Sequence, residues 1–157
     1  MDNIIWAAGF IDGEGCISLK RIMRKGKIYH QASIACGQTI KGIKALEKLK
    51  ETFGGSVSKW HPGKGDRIDS AAWTVVSQDA VNCAEKILPY LVIKHGQAKL
   101  ILEFGKLIIK RENQYRLTDS DYQKRDELFA EFRKLNVKGK LRLKRLNEET
   151  AKADAIV

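Results

Sequence analysis

The sequence predicts an α+β domain in which one antiparallel sheet carries helices on a single face. Two observations lead there. Apolar and polar residues alternate in two pairs of short stretches, 16–22 with 29–36 and 56–60 with 71–77, each pair joined by a polar or basic loop. Around those pairs the apolar spacing lengthens to three and four residues, as on a helix that buries one stripe. The resulting order is helix, strand, strand, helix, strand, strand, helix.

Asp2 or Asn3 can cap a first helix running to about Asp12. In "CISLKRI" (16–22), Ile17 and Leu19 share one face and Ser18 and Lys20 the other. The basic loop "MRKGK" leads to "YHQASIAC" (29–36), with Gln31 and Ser33 on its polar side. From Thr39 the pattern turns helical: Ile43, Leu46, Leu49 and Phe53 form a stripe that Gly54-Gly55 ends. "SVSKW" and "AAWTVVS" bracket the polar "HPGKGDRID" as a hairpin with a long loop, and Trp73 is expected in the core. "QDAVNCAEKILPYL" is a third helix stopped near Pro89. The uncovered sheet face would carry Ser18, Lys20, Gln31, Ser33, Ser56, Ser58, Trp60 and Thr74. Amphipathic helices at about 95–112 and 119–136 extend this body, so 1–137 is expected as one domain and 138–157 as a basic tail or helix.

A chain of 157 residues is long enough for one buried core. Its 29 Lys and Arg against 19 Asp and Glu leave +10, which makes a polyanion the expected partner. No apolar run approaches the roughly 20 residues of a membrane span, and the start "MDNIIWAAGF" lacks the basic region of a signal peptide. Membrane association is therefore not expected. Cys16, Cys36 and Cys83 are odd in number, widely spaced and set among apolar neighbours, so buried free thiols are expected in a reducing compartment. The three histidines show no metal-ligand spacing.

The stretch "WAAGFIDGEGCIS" (6–18) concentrates the chemistry. On a helix Ile5, Ala8, Gly9 and Asp12 share one face, nearly bare in its middle, where a second helix backbone could approach. Alternatively the small residues are incidental to a core helix, although an interior Gly costs about 1 kcal/mol. Asp12-Gly13-Glu14-Gly15 then sets acids at a helix C-terminus, which already carries partial negative charge. A cation would resolve that conflict. The Glu14 carboxylate and the Gly13 carbonyl are hard oxygen ligands of the kind Mg²⁺ takes; acids on a solvated turn are the plainer alternative.

The same stretch closely resembles the signature of the LAGLIDADG homing endonucleases, with Trp6 in place of the usual leading Leu or Ile. "ASIACGQTIKGIKALEKLKETFGG" and "ILPYLVIKHGQAKLILEF" are similar to further family segments, so the resemblance spans about 4–104. It implies an αββαββα fold in which the motif helices of two subunits pack on a two-fold axis. The exposed sheets would then form a saddle in the DNA major groove. One motif in this chain implies a homodimer, a near-palindromic site and a staggered double-strand cut. In the same way it implies that Glu14, assisted by the Gly13 carbonyl, binds Mg²⁺ or Mn²⁺, and that Asp12 holds the helix pair and turn.

Gln38 matches a glutamine that orients water, with a helix-capping or surface glutamine as its alternative. Lys94 matches a lysine near the reacting phosphate. Where some members carry a basic residue early in the second helix this chain has Gly42, which leaves Lys41 a weaker candidate. Base contacts are expected from Ser18, Lys20, Arg24, Gln31 and Ser33, and from Ser56, Ser58, Arg67 and Thr74. Trp60 either packs or stacks near DNA. Arg21, Lys25, Lys27, Lys64 and the tail lysines would meet phosphate. Two rivals keep the scaffold: an intron RNA-splicing maturase and a non-catalytic DNA-binding regulator. An intracellular setting, prokaryotic cytoplasm or organelle, is expected for any of the three.

Overall fold

The computed structural model describes residues 2–60, 68–108 and 117–136, with residues 148 and 151 besides. Helix α1 (Asn3–Glu14) begins where the Asp2 carboxylate accepts the Ile4 N–H at 2.8 Å. It runs directly into β1 (Gly15–Arg24), which returns as β2 (Lys27–Thr39) through a turn with Lys25 at φ 49° and Gly26 at φ 72°. Two successive positive φ values match the right-handed twist of a tight hairpin. A short 3-10 turn (Ile40–Gly42) precedes α2 (Ile43–Phe53). Strands β3 (Ser56–Trp60) and β4 (Ser70–Val76), then α3 (Ser77–Ile87), complete the αββαββα order. The extra helices are α4 (His95–Gly105) and α5 (Asp119–Leu135), the latter opened by a capping box of Thr118 and Asp121.

The sheet is antiparallel in the order β1-β2-β4-β3. Its helix-covered face supplies Ile17, Ile34, Trp73 and Val75 to a core completed by Ile11, Leu46, Leu49, Ile87, Ile101 and Phe104. Trp73 is buried as expected, and its indole N–H donates to the Gly54 carbonyl at 2.9 Å. Gly55 shows why two glycines end α2: at φ 82°, a Cβ there would stand 2.4 Å from the Thr74 carbonyl oxygen.

Directly opposed strand residues share a face. The pairs Ser18↔Ser33, Lys20↔Gln31, Ala35↔Thr74, Ser56↔Thr74 and Ser58↔Ala72 therefore place the expected polar residues on one open side. Trp60 pairs with Ser70 at the end of β3. Two expectations are corrected. Cys16 is exposed, because it alternates with Ile17 onto the open face; only Cys36 and Cys83 are buried, where desolvation pushes both thiols up to about 12. Helix α4 ends at Gly105, short of 112, and residues 109–116 lie outside the described set. Arg67, Lys64 and the expected basic segment 138–145 also lie outside the described residues. Among the described residues no helix is long and apolar enough to cross a membrane.

Candidate active site

The C-terminal turn of α1 is fixed from behind by Asp12. Its carboxylate is 8% exposed and accepts the backbone N–H groups of Val92 at 2.9 Å, Ile93 at 2.9 Å and Lys94 at 2.8 Å. Burial pushes this carboxyl up, but the three backbone donors and the nearby Lys94 charge outweigh it and hold its pKa below the ordinary value. With both oxygens engaged, Asp12 positions the segment leading into α4 and is not free to bind a metal. The Lys94 ammonium donates to the Asp12 carbonyl oxygen, so a cation sits against the negative end of the α1 dipole.

Glu14, the next residue but one, points away from that anchor. It is exposed, and among the described residues no cation stands within ion-pair distance of it. Gln38 lies in β2, which runs on to Thr39 beyond the expected strand end, and its Nε2 faces Glu14 Oε2 at 3.5 Å. That separation is the outer limit of a hydrogen bond. The two side chains share an open cavity of about 690 Å³ that is also lined by Gly37, Thr39, Ser58, Lys59, Ser70, Ala71 and Ala72. Lys41 is exposed on the 3-10 turn and does not line this cavity. A Cβ on Gly42 would stand 3.2 Å from the Gln38 Cβ and Oε1, so Gln38 already fills the space a side chain at 42 would enter.

The donors fit a hard divalent cation in part. Glu14 and the helix-end carbonyls are oxygen ligands, yet among the described residues no group of three or more His, Cys, Asp or Glu gathers. The Glu14 carboxylate and the Gly13 carbonyl would by themselves fill only part of a coordination shell.

Of the four residues expected on the bare face, Ile5 and Gly9 are exposed and Ala8 and Asp12 are not. Ala8 is fully buried and Asp12 nearly so, both turned into the chain's own core along with Ala7 and Ile11. The line left open is Ile5, Gly9 and Gly13, spaced four apart, with exposed Val92 and Ile93 in the segment that Asp12 anchors. Among the described residues nothing lies within 4 Å of where a Cβ would stand on Gly9 or Gly13.

On the open sheet face Lys20, Arg24, Ser56 and Ser58 are exposed, and Ser18, Gln31 and Thr74 are half-buried. Ser33 is corrected: it occupies the expected side but is 1% exposed, with a hydroxyl that has no partner among the described residues, so it cannot meet a base edge as it stands. Sequence reasoning missed Lys59. It falls one residue after Ser58, and alternation sends it to the opposite face from the polar residues that drew notice.

A sequence profile of the LAGLIDADG endonuclease family matches residues 7–106. The DNA endonuclease I-CvuI of Chlorella vulgaris is 31% identical over 106 residues, which are 64% of this chain and only 62% of that relative's length. A crystal structure of I-CvuI in complex with its target in the presence of calcium has a TM-score of 0.70 at 25% identity, covering 92% of this chain and 94% of that one. An archaeal intron-encoded homing endonuclease, I-Vdi141I, complexed with DNA, has a TM-score of 0.67 at 18% identity with 92% and 94% covered. At that identity the second likeness bears on the fold alone.

Proposed function

This chain belongs to the LAGLIDADG endonuclease family, and from that premise we propose that it is a site-specific homing endonuclease. It binds a long, near-palindromic DNA site as a homodimer and makes a metal-dependent staggered cut in both strands. The observation that carries this reading is the open space beside Gly9 and Gly13 on the helix that ends at Glu14. Among the described residues nothing requires glycine there, and Gly in a helix interior costs about 1 kcal/mol. A second copy of the helix, packed closely along Ile5, Gly9 and Gly13, gives those residues a reason. It also brings two Glu14 carboxylates together, because each follows directly on that seam. A two-fold dimer then matches a two-fold DNA site.

In this reading Glu14 and the Gly13 carbonyl hold Mg²⁺ or Mn²⁺, which when bound polarises the phosphate and eases departure of the leaving oxygen. Gln38, facing Glu14 across a loose contact, orients the attacking water. Lys94 neutralises the carbonyl end of α1 behind the site and favours charge on the reacting phosphate. Lys20, Arg24, Gln31, Ser56, Ser58 and Thr74 face the bases, and the net charge of +10 favours the phosphate backbone. Residues 1–137 form the endonuclease unit, with 138–157 a basic extension, working in a prokaryotic cytoplasm or an organelle.

Selection from a random DNA library, followed by incubation with Mg²⁺, tests the proposal. The expected result is a staggered cut at a near-palindromic site, with Glu14→Gln binding the same site and leaving it whole. A wild type that binds tightly but never cuts under Mg²⁺ or Mn²⁺ removes the nuclease reading in favour of a DNA-binding regulator or an intron RNA maturase.

A further inference from the structure

We propose that Lys59 is a phosphate-binding residue of the cleavage site, its ammonium donating to a non-bridging oxygen of DNA held in the cavity that Glu14 also lines. The inference rests on the nuclease reading and adds to it a residue outside the family motif. The pairs Gln38↔Ala71 and Lys59↔Ala71 set Gln38, Ala71 and Lys59 abreast on the helix-side face. Lys59 is thereby turned away from the base-reading face that carries Ser58. It is exposed on edge strand β3 and lines the same cavity as Glu14 and Gln38.

Three lysines stand near the site, and they differ in what holds them. The Lys94 ammonium is engaged by the Asp12 carbonyl, and Lys41 does not line the cavity. Lys59 does line it, and among the described residues no carboxylate pairs with it. A carboxylate and an ammonium that line one cavity suit a phosphodiester: Glu14 would hold the cation that neutralises the phosphate, and Lys59 would meet a non-bridging oxygen directly. Lysine meets such an oxygen as a point charge, and that charge matters most as the phosphorus gains negative charge in the transition state.

An edge-strand lysine can also serve only to prevent strand pairing, and the test separates the roles. Lys59→Glu keeps a charge on the edge but repels phosphate, whereas Lys59→Arg keeps the sign. Single-turnover cutting in Mg²⁺ should fall at least about 10-fold in Lys59→Ala and further in Lys59→Glu, and stay near wild type in Lys59→Arg. The slope of log affinity against log salt, read in Ca²⁺, should flatten by about 1 in Lys59→Ala. Unchanged thermal melting shows that these exposed-site variants fold. Cutting by Lys59→Glu at the wild-type rate overturns the inference and leaves the nuclease reading intact. A wild type that never cuts removes that reading and the inference with it.

Discussion

Two aspartates tie helices to the rest of this fold, with different kinds of partner. Asp12 on α1 accepts three consecutive backbone N–H groups and is almost closed to solvent. Asp126 on α5 accepts the His30 imidazole at 2.9 Å and stands 3.6 Å from the Arg21 guanidinium, with half its side chain exposed. Backbone donors neither titrate nor change rotamer, so the α1 anchor holds under any condition in which its carboxylate is ionised. The α5 anchor depends on an imidazole and on charges that water and salt can screen. The rigid anchor lies beside Glu14 and the softer one away from it, which suits a site where Glu14 must be placed accurately.

Asp12→Asn is expected to have the largest effect, because one acceptor oxygen becomes an N–H₂ group facing N–H donors. A loss of about 3 kcal/mol in unfolding free energy is expected, read as a lower denaturant midpoint at unchanged m-value. Cutting should also fail at temperatures where the variant is still folded, since Lys94 and the end of α1 lose their common tie. The pH dependence follows from the depressed pKa. The contribution of Asp12 is complete above its unfolded value of 3.8 and is lost as pH falls through the still lower folded value. Acid unfolding of the wild type should therefore be steeper than that of Asp12→Asn. Equal profiles would show that the three bonds do not hold the ionised form.

The opposite faces of α1 give the second test. Inward-facing Asp12 serves the chain's own fold, whereas a Cβ added to Gly9 would meet nothing within 4 Å among the described residues. Gly9→Ala should raise the stability of the isolated chain by about 1 kcal/mol through helix propensity. It should weaken self-association by about 2 kcal/mol by placing a methyl group into a close seam. Sedimentation across a dilution series reads the second quantity and thermal melting the first. Unchanged self-association would detach the seam from the dimer.

Alternation and spacing made the sheet, its open face and the αββαββα order legible, and "DGEG" located Glu14 at a helix end. What failed to show needed three-dimensional context. A helical wheel groups Ala8 with Gly9, but only packing against the core decides that the exposed line runs through Ile5, Gly9 and Gly13. Gly37 reads as the end of a strand, yet its pairing with Ala72 carries β2 on to Thr39 and sets Gln38 opposite Ala71. Ser33 alternates correctly and is still buried at the sheet centre. The spacing of the histidines gave no hint of a tie at His30, because its partner Asp126 is 96 positions away.

That distant pair gives the smallest expected effect. The His30 ring is enclosed, edge-on to Phe129 on α5. The charged groups facing it are Asp126 and Arg125 from α5 and Arg21 from β1. Burial lowers its pKa below 6.5; Asp126 pulls the other way, and Arg125 and Arg21 add to the lowering. The folded chain therefore holds fewer protons on this ring than the unfolded chain does just below pH 6.5. Its contribution to stability is complete above that value and declines as pH falls through it. Between about pH 7.5 and about pH 5.5 the wild type should lose less than about 1 kcal/mol from this source. Asp126→Asn removes the one influence that raises the pKa, so its loss over the same range should be steeper. His30→Gln should show none of this component. The change should appear first as faster amide exchange in α5, while the N–H groups of 92–94 held by Asp12 keep their protection. Equal acceleration in both segments would mean that the two anchors open together, and the contrast between them would disappear.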